Sequence, residues 1–440
     1  MAGRVSLART LRSRLLRGGS GLRPRGWLNR RSTRLLAVVG FLGPGLIAAN
    51  AGNDAGGIAT YSSVGARYGY DLLWMMVVIT VSLIVVQEMA ARMGAVTGKG
   101  LAELIREQYG VRWSLFATTS VLIANIGICI SEFVGIGAAL SVAGIPPQLS
   151  VPVAAIGVWL LLVRGSYKVA ERIFVLMTIP FFAYPVAAIL ARPDWGAVGH
   201  AVVAPNIHAS RGYLFLFIAT AGTTITPFMQ LYVQSAVVER GVGIDELNAE
   251  RAEVTSGSIF ANLVAGFIII ATGATLYLHG ERHISTAAQA AKALEPFAGR
   301  YAEVLFAVGL LGASLLAAAI LPVTAAYVIA ETFGFEKGMS RRIHEAPVFV
   351  AVITALIAIA TIVAIIPGLP VISLLVGVQV VNGALLPVLL VFIWRLASDR
   401  ELMGDYRNGR IFNVIAGLTV LATSALSITL LVVTLGGSFL

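Results

Sequence analysis

The amino-acid sequence predicts an all-α polytopic membrane protein. Three observations carry this reading. First, 58% of the 440 residues are hydrophobic and only 12% are charged, whereas an ordinary soluble domain carries about 25% charged residues. Second, apolar runs close to the roughly 20 residues that a membrane helix needs recur along the whole chain. They lack the short alternating pattern of barrel strands, so helices must satisfy the backbone in lipid. Third, two of the runs are interrupted by glycine, proline and polar residues, and the interruptions lie five spans apart.

About eleven spans are expected from this pattern. They lie near residues 35–66, 70–93, 113–141, 149–163, 168–190, 211–238, 255–278, 302–333, 345–366, 369–397 and 412–435. Ahead of them, residues 1–34 carry ten arginines and no acid, which equals the whole net charge of +10. Such a segment reads as a cytoplasmic anchor beside the first helix rather than a nucleic-acid-binding tail. No small-residue cleavage site follows a short apolar core, so a signal peptide is not expected. Basic residues also gather in alternate connections: Arg92, Lys99, Arg106 and Arg112; Arg164, Lys168 and Arg172; Lys337, Arg341 and Arg342; Arg395, Arg400, Arg407 and Arg410. Connections 142–148 and 366–370 carry no charge. The bias places the N-terminus in the cytoplasm and the C-terminus outside, in a plasma (inner) membrane. The longer connections 191–210 and 279–301 have mixed charge and do not inform the topology.

The first span breaks at Gly52–Gly57, within "AANAGNDAGGIATY", and the sixth at Gly222–Pro227, "GTTITP". Paired breaks in corresponding positions are the mark of a five-plus-five inverted repeat, with discontinuous helices meeting at the bilayer midplane. Residues 35–190 are the expected first repeat (helices 1–5), 211–397 the second (helices 6–10), and 412–435 helix 11. Irregular backbone at that depth persists only where it is buried in protein or lines a cavity.

Polar residues within the spans are therefore functional candidates. Asp54 sits at the first break, where it could cap the second half-helix or bind a cation beside free carbonyls. The two roles are compatible, since capping favours the ionised carboxylate. The hard oxygen ligands available suit Mg²⁺, Mn²⁺ or Ca²⁺. Glu132, in "ICISEFVGIG", is a second cation or proton group, or else a structural carboxyl group. Gln379 and Asn382, in "VGVQVVNG", share one helix face and could complete an ion's shell or bond between helices. His279 and His283 have the spacing of a zinc pair, but the glutamate is one place off the zinc-protease pattern and the stretch falls in a loop. No phosphate-binding loop, nucleophile elbow or Cys-x-x-Cys occurs, so no enzyme chemistry is indicated. The single cysteine, Cys129, leaves no disulfide within the chain.

These residues resemble the Nramp divalent-metal transporters over most of the chain after residue 35. "GFLGPGLIAANAGNDAGGIATYSSVGARYGYDLLW" looks like the family's first span, with its Asp-Pro-Gly-Asn motif. "GTTITPFMQLYVQSAV" is similar to its sixth, and "SLLVGVQVVNGALLPVLLVFIWRLASDRELMG" to its tenth. The resemblance implies the LeuT-type fold. It implies a metal site at Gly52, Asp54, Gly57, Thr223, Thr226 and Gln379, with Glu132 and Asn382 as possible proton-carrying or secondary polar groups. No cofactor is implied: the metal is the transported substrate, and the bilayer is the other partner.

The departures from the family pattern point to one branch. Asp54 is retained, Ala55 replaces proline, and Gly57 replaces the asparagine ligand. Thr226 stands where the family has methionine, and Phe228 where it has histidine. Thr223 takes the place of an alanine whose carbonyl faces the metal. Gln234 replaces a second histidine, and Cys129 an aspartate tied to proton release. A thioether favours transition metals, whereas threonine offers a hard oxygen. Glycine for asparagine deletes a ligand and adds room for a hydrated ion, and magnesium keeps several waters. The pattern resembles the Nramp-related magnesium transporters, and loss of the histidines and aspartate argues against proton coupling. The expected function is import of Mg²⁺, and of Mn²⁺, by alternating access. The alternatives are a proton-coupled Mn²⁺/Fe²⁺ importer and an organic-solute transporter on the same fold.

Overall fold

A computed structural model describes residues 51–435, apart from 165–172, 174, 175, 177, 178, 209, 296–298, 300, 301, 340 and 342. The basic segment 1–34, the first half of span one and the basic residues Lys168, Arg172 and Arg342 lie outside the described residues. The described chain is helical, with no strand among its elements. Nine helical stretches among the described residues are long and apolar enough to cross a membrane. They correspond to spans two to four and six to eleven.

The first break is a 3₁₀ turn, Ala51–Asn53, followed by α1, Ala55–Tyr68. Helix α2, Leu73–Thr97, stops at Gly98, whose left-handed φ of 66° is easiest for glycine. Helix α3, Leu101–Val142, is broken at Gly110, whose φ of 82° and ψ of 175° are not helical. An amphipathic segment, 101–109, precedes the break, and the spanning segment follows it from 111, close to the expected start near 113. The first turns of α3, "LAELIREQYG", are charged and amphipathic, so hydropathy alone does not register them. Helix α4, Pro147–Arg164, follows, then α5, Ala183–Leu190, at the end of the fifth span. The connection expected at 191–210 contains a further helix, α6, Trp195–Val203, whose N-cap Asp194 accepts bonds from Gly196 and Ala197 N–H.

The sixth span is two helices, as its sequence predicts. Helix α7, Arg211–Thr224, ends ahead of Ile225 and Thr226, and α8, Pro227–Arg240, begins on proline. Proline suits that first position because its missing N–H would have no helical partner. The remaining elements are α9, Leu247–Thr272, closed by a π-turn; the short α10, Ala287–Ala291; α11, Ala302–Phe333; α12, Pro347–Ala364; α13, Val371–Ser398; α14, Arg400–Met403; and α15, Arg410–Leu435.

Burial sorts these helices into a core and a lipid-facing shell. The most apolar stretch of 211–240 is 83% buried, against 28% for α4, 33% for α12 and 28% within α15. Helices α1, α7 and α8 therefore occupy the centre, held by α2, α3, α9, α11 and α13. Leu149, Val153 and Ile156 on α4, and Leu418 and Leu421 on α15, are exposed for contact with lipid tails.

One end of the bundle is tied by charge. Glu88 on α2 accepts from Arg92 Nε at 3.1 Å and from Arg251 Nε of α9 at 2.7 Å. Arg92 also donates to the Tyr406 carbonyl and, at 2.6 Å, to Asn408 Oδ1 ahead of α15. Glu88 and Arg92 are both buried, so removing the carboxylate strands a charge in low dielectric. Glu88→Ala is expected to cost about 3–5 kcal/mol, the range for breaking a buried ion pair. A thermal melt of the detergent-solubilised protein followed by size-exclusion should show a clear drop. A melting temperature equal to that of the parent would show that the tie contributes no stability.

Candidate metal site

The site is built from the two helix breaks and α13. Asp54 has an extended backbone and ends the 3₁₀ turn, so its side chain folds over the free N–H groups that open α1. Its Oδ1 accepts from Gly57 N at 2.5 Å. From α13, Gln379 Nε2 donates to Oδ1 at 3.1 Å and Oδ2 at 3.2 Å. Asp54 is fully buried, and these bonds replace its hydration.

Neutral oxygens surround the carboxylate. Thr223 Oγ1, in the last turn of α7, donates to the Gly52 carbonyl at 3.2 Å. A β-carbon placed on Gly57 would lie 2.4 Å from Gly52 O, 2.9 Å from Thr223 Oγ1 and 3.2 Å from Asp54 Oδ1. One carbonyl, one hydroxyl and one carboxylate thus converge on a single point beside Gly57. Gly57 is needed for this close approach. The extra room expected from its small size is not open space here: any side chain at 57 meets the three oxygens, so an asparagine there would have to displace the Gly52 carbonyl.

The other expected residues divide. Thr226 caps α8 and its buried hydroxyl has no partner. Gln379 presents its amide nitrogen, not its oxygen, to Asp54. Its role as an oxygen ligand therefore requires the amide to turn. Asn382, one turn along α13, donates to Gly222 O at 2.6 Å and to Gln379 Oε1 at 3.4 Å, bracing both the sixth-span break and the glutamine. Glu132 on α3 is fully buried; its Oε2 accepts from Ala55 N at 3.1 Å and its Oε1 from Ser131 Oγ at 3.0 Å. Two carboxyl groups therefore share the N-terminus of α1, where the helix dipole favours negative charge. Cys129 and Phe228 are buried and apolar in setting, and Gln234 Nε2 donates to Lys99 O at 2.9 Å. His279 and His283 are exposed beyond α9, away from Asp54, with His279 Nδ1 bonded to Thr275 O.

The residue that sequence comparison passes over is Met229. A β-carbon on Gly52 would lie 2.2 Å from Met229 Cε and 3.8 Å from its Sδ. Gln87 Nε2 meets that sulfur at 3.9 Å. Met229, one helical turn after Thr226, thus packs its methyl group against Gly52 while its sulfur faces the Gln87 amide. Among the described residues no group of three or more His, Cys, Asp or Glu is arranged to hold a metal. The oxygens gathered beside Gly57 are one carboxylate, one carbonyl and one hydroxyl.

Residues 45–433 match the family model described as "Natural resistance-associated macrophage protein-like", Nramp. The chain belongs to the Nramp family. Within it, the chain is 29% identical over 433 residues to the divalent metal cation transporter MntH of Deinococcus radiodurans, covering 95% of each chain. It is 30% identical over 396 residues to the MntH of Ralstonia nicotianae, covering 86% of this chain and 87% of that one. The Nramp fold is also shared with a solved structure, the Eremococcus coleocola manganese transporter in complex with an aromatic bis-isothiourea compound. That likeness has a TM-score of 0.71 at 21% identity and covers 92% of this chain and 88% of the other.

The convergence at Gly57 yields a direct test. Gly57→Ala puts a methyl group where the three oxygens meet, so Mn²⁺ affinity measured by calorimetry should fall by at least about tenfold, or 1.4 kcal/mol. Unchanged affinity in a folded variant would move the ion elsewhere.

Proposed function

We propose that this chain imports divalent metal cations by alternating access, Mg²⁺ most readily and Mn²⁺ also, without coupling to protons. The observation that carries the reading is the oxygen cluster at Gly57, with a single carboxylate at either helix break. Asp54 supplies charge, Gly52 O and Thr223 Oγ1 supply neutral oxygens, and Thr226 offers an unpaired hydroxyl at the sixth-span break. Hard oxygens favour Mg²⁺ and Mn²⁺, and a site with few protein ligands leaves the ion some of its water. Residues 35–190 and 211–397 serve as the two inverted halves, with 412–435 outside the repeat. The N-terminus lies in the cytoplasm, and the ends of α2, α8 and α11 face that side.

Entry needs no second ion. A divalent cation moving inward gains about 4.6 kcal/mol across 100 mV, twice the value for one charge. Phe228, Gln234 and Cys129 offer no proton-carrying chain, and Glu132 is engaged by Ala55 N and Ser131 Oγ.

Met229 favours a second reading, a site tuned to Mn²⁺ or Fe²⁺, because a thioether is a soft ligand. Competition separates the two. In proteoliposomes Mn²⁺ uptake should be strongly suppressed by excess Mg²⁺ and abolished in Asp54→Ala. Mn²⁺ uptake indifferent to a large Mg²⁺ excess would establish the second reading instead, and near-normal flux through a folded Asp54→Ala protein would remove Asp54 from the site.

Uncoupled transport also predicts that a lumenal pH dye stays silent during metal uptake. Acidification that tracks uptake and disappears in Glu132→Gln would identify Glu132 as a proton carrier.

A further inference from the structure

Helix α8 carries a line of unpaired oxygens leading away from the metal site. Thr226, Gln230 and Gln234 recur at every fourth residue and so lie on one helix face. All three are fully buried. Thr226 Oγ1, Gln230 Oε1 and Gln234 Oε1 each lack a hydrogen-bond partner. The glutamine nitrogens are turned to carbonyls: Gln230 Nε2 to Thr226 O at 3.5 Å and Gln234 Nε2 to Lys99 O at 2.9 Å. The line covers about 12 Å at 1.5 Å per residue, from the break to the loop that holds Lys99.

Helix α3 supplies a fourth group. Asn125 is fully buried and both its amide oxygen and nitrogen are unpaired. It lies two turns from Glu132 on the same face, about 10 Å toward the start of α3. Glu132 reaches Ala55 N, so that side of α3 faces the first break. An unpaired buried amide costs about 1–3 kcal/mol. One would be a local defect; three acceptors in line on α8, with Asn125 on the side of α3 that faces the break, fit a polar occupant. Past Gln234 the line meets Glu331, which accepts from Ser235 Oγ at 2.9 Å, Ala102 N at 3.2 Å and Lys337 Nζ at 3.2 Å. That cluster closes the route to the loop side.

We propose that this face of α8, with Asn125, is a second station for the transported cation, which it holds through the ion's water shell. The inference rests on the transport reading above. The groups are acceptors without charge, suited to metal-bound water, whose hydrogens point outward. A pathway site must bind well enough to be entered and weakly enough to be left, which neutral amides meet and a carboxylate does not. Mg²⁺ dehydrates reluctantly and has the greatest need of such a station.

The test compares two ions in one variant. Gln230→Leu removes the central acceptor and keeps the volume. Mg²⁺ uptake into proteoliposomes should fall at least about tenfold and Mn²⁺ uptake by less than about threefold, because Mg²⁺ holds its waters more tightly. Calorimetric Mg²⁺ affinity, set at Asp54, should stay within about twofold, since Gln230 is not among the residues of the Asp54 site. Gln230→Asn, which restores a neutral amide oxygen, should recover Mg²⁺ uptake. Equal losses for both ions, or no loss, would overturn the station, as would a failure of Gln230→Asn to recover flux. Should Gln230→Leu not fold, Gln234→Met takes its place: the same selective loss of Mg²⁺ uptake supports the station, and equal or absent losses overturn it. Failure of the underlying reading is seen separately, as normal flux in Asp54→Ala.

Discussion

A carboxylate without water must find donors, and Asp54 finds them in the free N–H groups where α1 begins inside the bundle and in Gln379 of α13. The first turn of α1 has N–H groups with no helical partners; Asp54 takes one up as the cap of α1 itself, and Glu132 takes up another from α3. The break, the charge and the fully buried setting therefore depend on one another. Without the carboxylates the half-helix would present bare donors inside the membrane. Without the half-helix the carboxylates would have no compensation for lost hydration.

This constraint reaches outward through α13. Gln379 bonds both oxygens of Asp54, and Asn382 bonds Gly222 O, so one helix face touches both breaks. Close backbone approach makes that possible. A β-carbon on Gly222 would lie 2.2 Å from Gln379 O, so α7 and α13 pack backbone to backbone there. The site is thus held by rigid helices on every side, while α4, α12 and α15 contribute little burial and face lipid.

Much of this was legible in the chain. The breaks at Gly52–Gly57 and Gly222–Pro227 stand out because glycine, proline and an acid interrupt apolar runs. Asp54 follows from them. Glu132 was legible as a buried ionisable group but not in its role, because its partner Ala55 lies 77 residues away. Met229 was missed because position-by-position comparison asks only what stands at 226. The helical turn that brings 229 against Gly52 is a three-dimensional fact. The Thr226, Gln230 and Gln234 line was readable from its four-residue spacing alone, though not its lack of partners. Helix α6 and the first turns of α3 escaped an apolar search because capping and amphipathic pattern, not hydropathy, define them. The tie of Glu88 to Arg251 joins distant segments and has no local signature.

The bond between Gln379 and Asp54 has a consequence for the cycle as a whole. The amide offers hydrogen to the same oxygens that a metal would claim, so the unloaded protein is self-liganded and departing cargo does not leave a naked anion. The amide is neutral, however, and the electrical account is unchanged by it. Under the proposed uncoupled transport, and counting Asp54 alone, the centre would carry −1 when vacant and +1 when it holds a divalent ion. An inside-negative potential would then draw the loaded form inward and drive the vacant form outward, each half-turnover by about 2.3 kcal/mol per 100 mV.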